Sequence, residues 1–215
     1  MSRFRELLDH PEVEEVCVLR GHELARDRRI GFMAYHGGGL EEVTEIIAQS
    51  AAEISGASYY GVHQPIGMER HIPSIEVSPE VSDRLHSFIE HVHCVITIHG
   101  FGRMGYFASL LVGGRHRDLA EHVGAHLRHH LPAYDVITDI EAIPSDLRGL
   151  HSRNPVNLPP GTGVQIELPP RVRGTSPMWW DWEGPALNPH TNSLVIALAN
   201  AASSWCSGGE FSPIR

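Results

Sequence analysis

The chain has 215 residues, 41% of them hydrophobic and 20% charged, with a formal net charge of -9. That profile fits one globular α/β domain and argues against generic nucleic-acid binding, and against a polyanionic substrate unless basic residues are gathered locally. Three scattered cysteines, Cys17, Cys94 and Cys206, give no disulfide framework, and no run approaches the roughly 20 apolar residues of a membrane span.

Met1 to Leu8 lacks the continuous apolar segment of a signal peptide, so a cytoplasmic setting without a membrane partner is expected. Phe4 to Asp9 predicts a short helix ended by Pro11, and Val13 to Leu19 an edge strand. After a polar connection over Arg20 to Arg29, Ile30 to Tyr35 predicts a buried central strand ending at His36. Gly37-Gly38-Gly39 follows, then a helix from about Glu41 to Ile54 with Leu40, Ile46, Ile47 and Ala51 on its apolar face. Ser58 to Val62 predicts a strand, and Pro65 to Pro79 a loop.

Ser78-Pro79-Glu80 has the pattern of a helix start, and Val81, Leu85, Phe88, Ile89 and Val92 keep helical spacing behind it. Cys94 to Ile98 is a β-branched strand that delivers His99-Gly100, so a buried strand ends in His-Gly for a second time. Further strands are predicted at Tyr106 to Val112, Tyr134 to Ile140 and Gly163 to Leu168, with a helix over Asp118 to His130 and a loop over Pro144 to Gly161. Pro169-Pro170 marks a turn, and Trp179-Trp180-Asp181-Trp182 is expected in the core, with a lid packed near the site as the alternative. Asn188-Pro189 caps a last helix through about Ser204, and Gly208 to Arg215 is expected to fray. The fold class read from this order is a single-domain mixed β-sheet flanked by helices, an open αβα sandwich over residues 1–215 with its core at about 11–205.

Three features point to chemistry: His36 with acids close behind it, His99 at a second strand end, and Glu167 within a third strand. A catalytic zinc takes about three protein ligands, leaves one position open, and works with a separate carboxylate base. His36, one acid among Glu41, Glu42 and Glu45, and His99 supply such ligands, and Glu167 the base. Two plainer readings compete. A histidine at a strand end is more often a hydrogen-bonded polar residue, and a glycine-rich turn before a helix can cradle a phosphate, although the adjacent acids would repel one.

The sequence resembles the poly-γ-glutamate hydrolase family, zinc enzymes related in fold to the metallocarboxypeptidases, from about Tyr35 to Arg173. The resemblance is carried by His36-Gly37-Gly38-Gly39-Leu40-Glu41 with Thr44-Glu45-Ile46, Ile98-His99-Gly100 and Val112-Gly113-Gly114. It continues in Asn154-Pro155-Val156-Asn157, Gly163 to Leu168 and Arg171-Val172-Arg173. It implies one Zn2+ held by His36, Glu41 and His99, with Glu167 as general base. Asn154, Asn157 and Gln165 would orient substrate or ligands, and Arg171 and Arg173 would meet a substrate carboxylate. Two departures stand out: the acids follow the glycines more closely than is usual in the family, which keeps Glu42 and Glu45 as alternatives to Glu41, and Leu158 stands where the family often has Arg. The implied activity is hydrolysis of an amide near a carboxylate, with a small peptide or γ-linked glutamyl chain as substrate. The alternatives are another acyl amide, a cell-wall peptide, or a non-catalytic binding protein on the same fold.

Overall fold

The apolar run from Ile30 lies at the middle of a mixed sheet, buried on both faces. The structure, a computed structural model, describes residues 2–184 and 187–208; all of the tail expected to fray except Gly208 lies outside the described residues. In chain order the strands are β1 (Glu14–Val18), β2 (Ile30–Gly38), β3 (Ser58–Gln64), β4 (Cys94–Gly100), β5 (Ser109–Val112), β6 (Asp135–Ile137) and β7 (Gly163–Leu168). Among the described residues they form one seven-stranded sheet in the order β1-β3-β2-β4-β7-β5-β6. The central strands β3, β2, β4 and β7 run parallel, while β1 and β5 join them antiparallel.

Helices α1 (Arg3–Leu8), α2 (Thr44–Ser55), α3 (Asp83–His91), α4 (Arg117–His130), α5 (Pro170–Arg173) and α6 (Pro189–Cys206) complete the chain. Alternation along the strands divides the core in two. Phe32, Ala34, Ile96, Ile98 and Ile166 pack with Ile47 of α2, Val123 of α4 and Leu198 of α6. On the other face Met33, Tyr35, Tyr60 and Val95 pack with Phe4 and Leu7 of α1 and with Leu85 and Phe88 of α3. The result is the expected single-domain sheet with helices on both faces. No helix among the described residues is long and apolar enough to cross a membrane. All three cysteines are free.

The chain leaves β2 through α2 to reach β3 on one side, then passes through α3 to β4 on the other side of β2. Such a reversal opens a crevice at the carboxyl ends of the strands it separates, here β2 and β4.

Several boundaries differ from the sequence reading, and tertiary contacts explain them. Helix α3 is capped by Ser82, whose hydroxyl accepts from the Leu85 amide at 3.0 Å and is itself tied to Glu15 of β1, while Ser78 to Val81 closes only a turn. Helix α2 begins at Thr44, because Glu41 is drawn back toward His36 and Val43 takes a left-handed φ of 74°. Its buried face is Thr44, Ile47, Ala48, Ala51 and Ala52, which leaves Ile46 outside. β3 extends to Gln64, β5 and β6 are shorter than predicted, and α4 begins at Arg117. The Pro169-Pro170 turn becomes α5, with Pro170 in the first turn, where its missing N–H is harmless. The tryptophan cluster is not core: Trp180 is 78% and Trp182 42% exposed.

The predicted Asn188 cap is present, its Oδ1 accepting from His190 and Thr191 at 3.0 and 3.1 Å. Asn188→Ala removes both bonds at the start of the longest helix described. Denaturant unfolding is expected to show a loss of about 1–2 kcal/mol, and an unchanged midpoint would show that the cap contributes nothing.

Candidate metal centre

Where β2 meets β3, Ala34 lies opposite Gly61 and Gly37 opposite His63, so Tyr35 and His36 share one partner position. Strict alternation would send His36 to the α2 face with Ala34. The extra residue, a β-bulge, re-aims the ring. It sits edge-on to His99 with ring centroids 5.0 Å apart, and its Nε2 lies 2.8 Å from the Ile72 carbonyl on the α3 side of the sheet. His99 reaches the same place from the end of β4 by ordinary alternation, since Val95, Thr97 and His99 share a face.

The loop after His36 brings in the third group. Gly38 has φ 73°, and a Cβ there would lie 2.0 Å from the Gln64 carbonyl oxygen, so only glycine makes this turn. The Glu41 amide then donates to the His36 carbonyl at 3.0 Å, which folds the Glu41 side chain back over the strand end. Its Oε1 is 2.8 Å from His36 Nδ1 and its Oε2 is 3.2 Å from His99 Nδ1, with the Gly100 amide donating to Oε2 at 2.9 Å. Of the three acids left open by the sequence, only this one touches both histidines. Glu45 accepts from the Gly38 amide at 2.9 Å, and Glu42 is exposed.

Ligand atoms of His36, Glu41 and His99 all lie within 4.8 Å of one another, which makes these residues a group able to hold a metal ion. The donor chemistry fits such an ion. The Ile72 carbonyl can only accept, so His36 Nε2 carries the proton of the neutral ring and Nδ1 presents a lone pair toward Glu41. A lone pair 2.8 Å from a carboxylate oxygen needs a proton or a cation between them. Two imidazole nitrogens and a carboxylate form a donor set used for catalytic zinc. Burial alone would raise the Glu41 carboxyl, but His36 and His99 outweigh it and hold the group well below the usual carboxylate range. For His99, burial lowers the pKa, yet the Glu41 carboxylate prevails and the net shift is upward.

Glu167 stands beside this group in β7, in register with His99 of β4. It is 4% exposed, and burial pushes its carboxyl up to about 7, against the pull of His99. Gln165 Nε2 donates to its Oε1 at 2.8 Å. A carboxyl poised near neutrality beside a ligand cluster has the pKa a proton-transfer group needs. The cleft next to it, of about 570 Å3, is lined among others by His71, Ser74, Ser145, Arg148, Asn154 and Gln165.

The family model for poly-γ-glutamate hydrolase matches residues 2–178. The chain belongs to that family, which is one of hydrolases. A bacteriophage poly-γ-glutamate hydrolase is similar in structure, with a TM-score of 0.72 at 18% identity over 90% of this chain and 89% of the other. The zinc-free apo form of a protein named YndL gives 0.67 at 19% identity, covering 90% of each chain. A candidate carboxypeptidase from Burkholderia mallei gives 0.54 at 14% identity over 94% of this chain and 66% of that one, which places the fold among carboxypeptidase-like sheets. No curated protein matches the sequence.

The structure thus gathers His36, Glu41, His99, Glu167, Gln165 and Asn154, sets Arg173 against Gly100 within electrostatic reach of Glu41 and Glu167, and gives Asn157 and Arg171 partners elsewhere. Asn157 clamps a loop, donating to the carbonyls of Gly149 and His151 at 2.7 and 3.0 Å. Arg171 lies over the Tyr134 ring at 5.1 Å. Arg173 is buried and donates to the carbonyls of Leu168 and Glu42 at 3.1 and 2.7 Å, and Gly100 is glycine because its guanidinium lies where a Cβ would be.

Two residues escaped sequence reasoning. Tyr35 accepts from His99 Nε2 at 3.0 Å, and alternation gave no reason to join it to His36. Arg103 feels the charge of Glu167 from the protein surface while pairing with Asp146 at 2.6 Å. Its position just beyond His99-Gly100 was the available signal.

Isothermal titration of the metal-stripped protein is expected to show one divalent-ion site, and Glu41→Gln is expected to weaken binding by about 100-fold or more, because a neutral amide replaces the one charged ligand. Equal affinity of wild type and variant would remove Glu41 from the ligand set.

Proposed function

We propose that the protein is a zinc-dependent amide hydrolase that cleaves beside a carboxylate, with γ-glutamyl linkages as its substrate class. The observation that carries this reading is the pairing of a buried His-Glu-His donor set with a separate buried carboxyl, Glu167, whose pKa is raised to about 7. The phage relative is a poly-γ-glutamate hydrolase and the YndL form is described as zinc-free, which supports both the linkage and the metal.

His36, Glu41 and His99 would hold the ion, whose chemistry is to polarise a carbonyl and to acidify water. The remaining work falls to the chain. Glu167 accepts a proton as a water oxygen adds to the amide carbon, and gives it to the nitrogen as the C–N bond breaks, so the carboxylate ends unchanged. Gln165, donating at 2.8 Å, holds that carboxylate in one orientation. Arg103, exposed, paired with Asp146 and within electrostatic reach of Glu167, offers a guanidinium for a substrate carboxylate in exchange for Asp146.

Glu167→Gln separates the roles. Bound zinc is expected to stay at the wild-type level while kcat falls about 100- to 10,000-fold; retained turnover would exclude Glu167 as base. Profiling with γ-linked and α-linked glutamyl peptides tests the substrate class, with preference for the γ-linked series expected. Arg103→Leu is expected to raise KM about tenfold for carboxylate-bearing substrates, a loss of about 1.4 kcal/mol in binding; an unchanged KM would exclude that contact.

A further inference from the structure

Asn154 begins the short turn Pro155–Asn157, and its Oδ1 accepts from the Val156 amide at 3.2 Å. A backbone N–H can only donate, so this bond fixes which way the side-chain amide points. The same oxygen accepts the Tyr35 hydroxyl at 3.2 Å. A phenol has one proton, and it is used there; the Ser74 hydroxyl also bonds this phenol and lowers its pKa, which is the effect of a donor. Tyr35 can therefore only accept from His99, which places the proton of the neutral ring on Nε2, 3.0 Å away, and leaves Nδ1 bare toward Glu41.

The other end of the amide works in the opposite direction. Asn154 Nδ2 donates to Gln165 Oε1 at 2.8 Å, so Gln165 must turn its Nε2 to Glu167, at 2.8 Å, and to the Leu147 carbonyl, at 3.4 Å. Tyr35, Asn154, Gln165, Glu167 and His99 are all buried, and each of these bonds is made to a protein partner. Every bond from His99 to Glu167 runs donor to acceptor in one direction. Reversing any amide would set N–H against N–H at Val156 or oxygen against the Glu167 carboxylate.

We propose that Asn154 is the positioning residue that joins the two halves of the centre, setting the His99 tautomer through Tyr35 and the orientation of Glu167 through Gln165. The inference rests on the metal-and-base reading above. It predicts that the halves can be uncoupled one at a time, which a packing role for these residues does not.

The test is a zinc titration of the metal-stripped protein, paired with kcat on a γ-linked glutamyl oligomer at saturating zinc. Tyr35→Phe removes the acceptor of His99 and is expected to lower zinc affinity about 10- to 100-fold, the range for lost outer-sphere partners, with little change in kcat. Gln165→Leu is expected to do the reverse, keeping affinity and losing kcat. If that variant does not fold, as judged by circular dichroism and thermal unfolding, Gln165→Met makes the same test, since it has a similar length and cannot donate to Glu167.

Asn154→Asp is the deciding variant: its carboxylate still accepts from Tyr35 and Val156 but cannot donate to Gln165. Zinc affinity is expected to survive and kcat to fall. Equal loss of affinity in Asn154→Asp and Tyr35→Phe, or parallel changes of affinity and kcat in every variant, would overturn the proposal. Wild-type protein that binds no zinc would overturn the metal reading and this inference together. Wild-type protein that binds zinc without cleaving the oligomer would overturn only the substrate class; the relay then stands if Tyr35→Phe weakens zinc while Asn154→Asp does not, and falls otherwise.

Discussion

The Glu41 carboxylate lies between two imidazoles, and the local backbone is arranged around keeping it there. Only four residues separate Glu41 from His36, so the chain must reverse at once. It does so through the left-handed Gly38, the bond from the Glu41 amide to the His36 carbonyl, and a left-handed Val43. A β-branched residue at φ 74° is strained, at a cost of order 1–3 kcal/mol, and the neighbouring bonds hold it in place. The Thr44 hydroxyl and amide both donate to the Glu41 carbonyl, at 2.6 and 3.2 Å, and start α2 immediately after the strain. The position of α2, and with it one face of the core, follows from where this carboxylate has to be.

Burying so many polar groups at one strand edge is costly unless each finds a partner. The donors are accounted for: His36 Nε2 goes to Ile72, His99 Nε2 to Tyr35, Tyr35 to Asn154, Asn154 to Gln165 and Gln165 to Glu167. What remains is a surplus of electron pairs, two Nδ1 atoms and two carboxylate oxygens, converging on one point with the Gly100 amide as their nearest backbone donor. Protons can relieve part of that excess, and the raised pKa of His99 is that relief. A divalent cation relieves all of it, and it does so with neutral imidazoles, the form in which histidine binds metal.

Much of this was legible in the sequence because strand ends carry the chemistry. The apolar runs before His36 and His99, and the alternation that sets Gln165 and Glu167 on one face, fix both the strands and the direction of three side chains. The helix starts were less legible. Ser78 and Ser82 are both good caps, and a contact from Glu15, far away in sequence, chooses between them. Neither Tyr35 nor the arrangement of His36 beside it could be read off, since both depend on a bulge that a two-residue alternation hides. For the arginines, charge near a motif suggests a substrate contact; the structure adds that burial ties Arg173 to two carbonyls of the scaffold.

The acidic balance of the chain, a formal charge of -9, opposes the proposed anionic substrate until the charges are located. Arg103 and Arg148 are not free cations. Arg103 is paired with Asp146, and Arg148, in the wall of the cleft, with Glu141 at 3.2 Å. Both acids are largely exposed, so each pair contributes little, about 0–1 kcal/mol, and can be exchanged at small cost. A substrate carboxylate at Arg103, as proposed, would therefore replace an intramolecular partner instead of meeting a bare charge. Net charge describes the whole surface, whereas the proposed recognition depends on which local carboxylate gives way, and at Arg103 that carboxylate is Asp146.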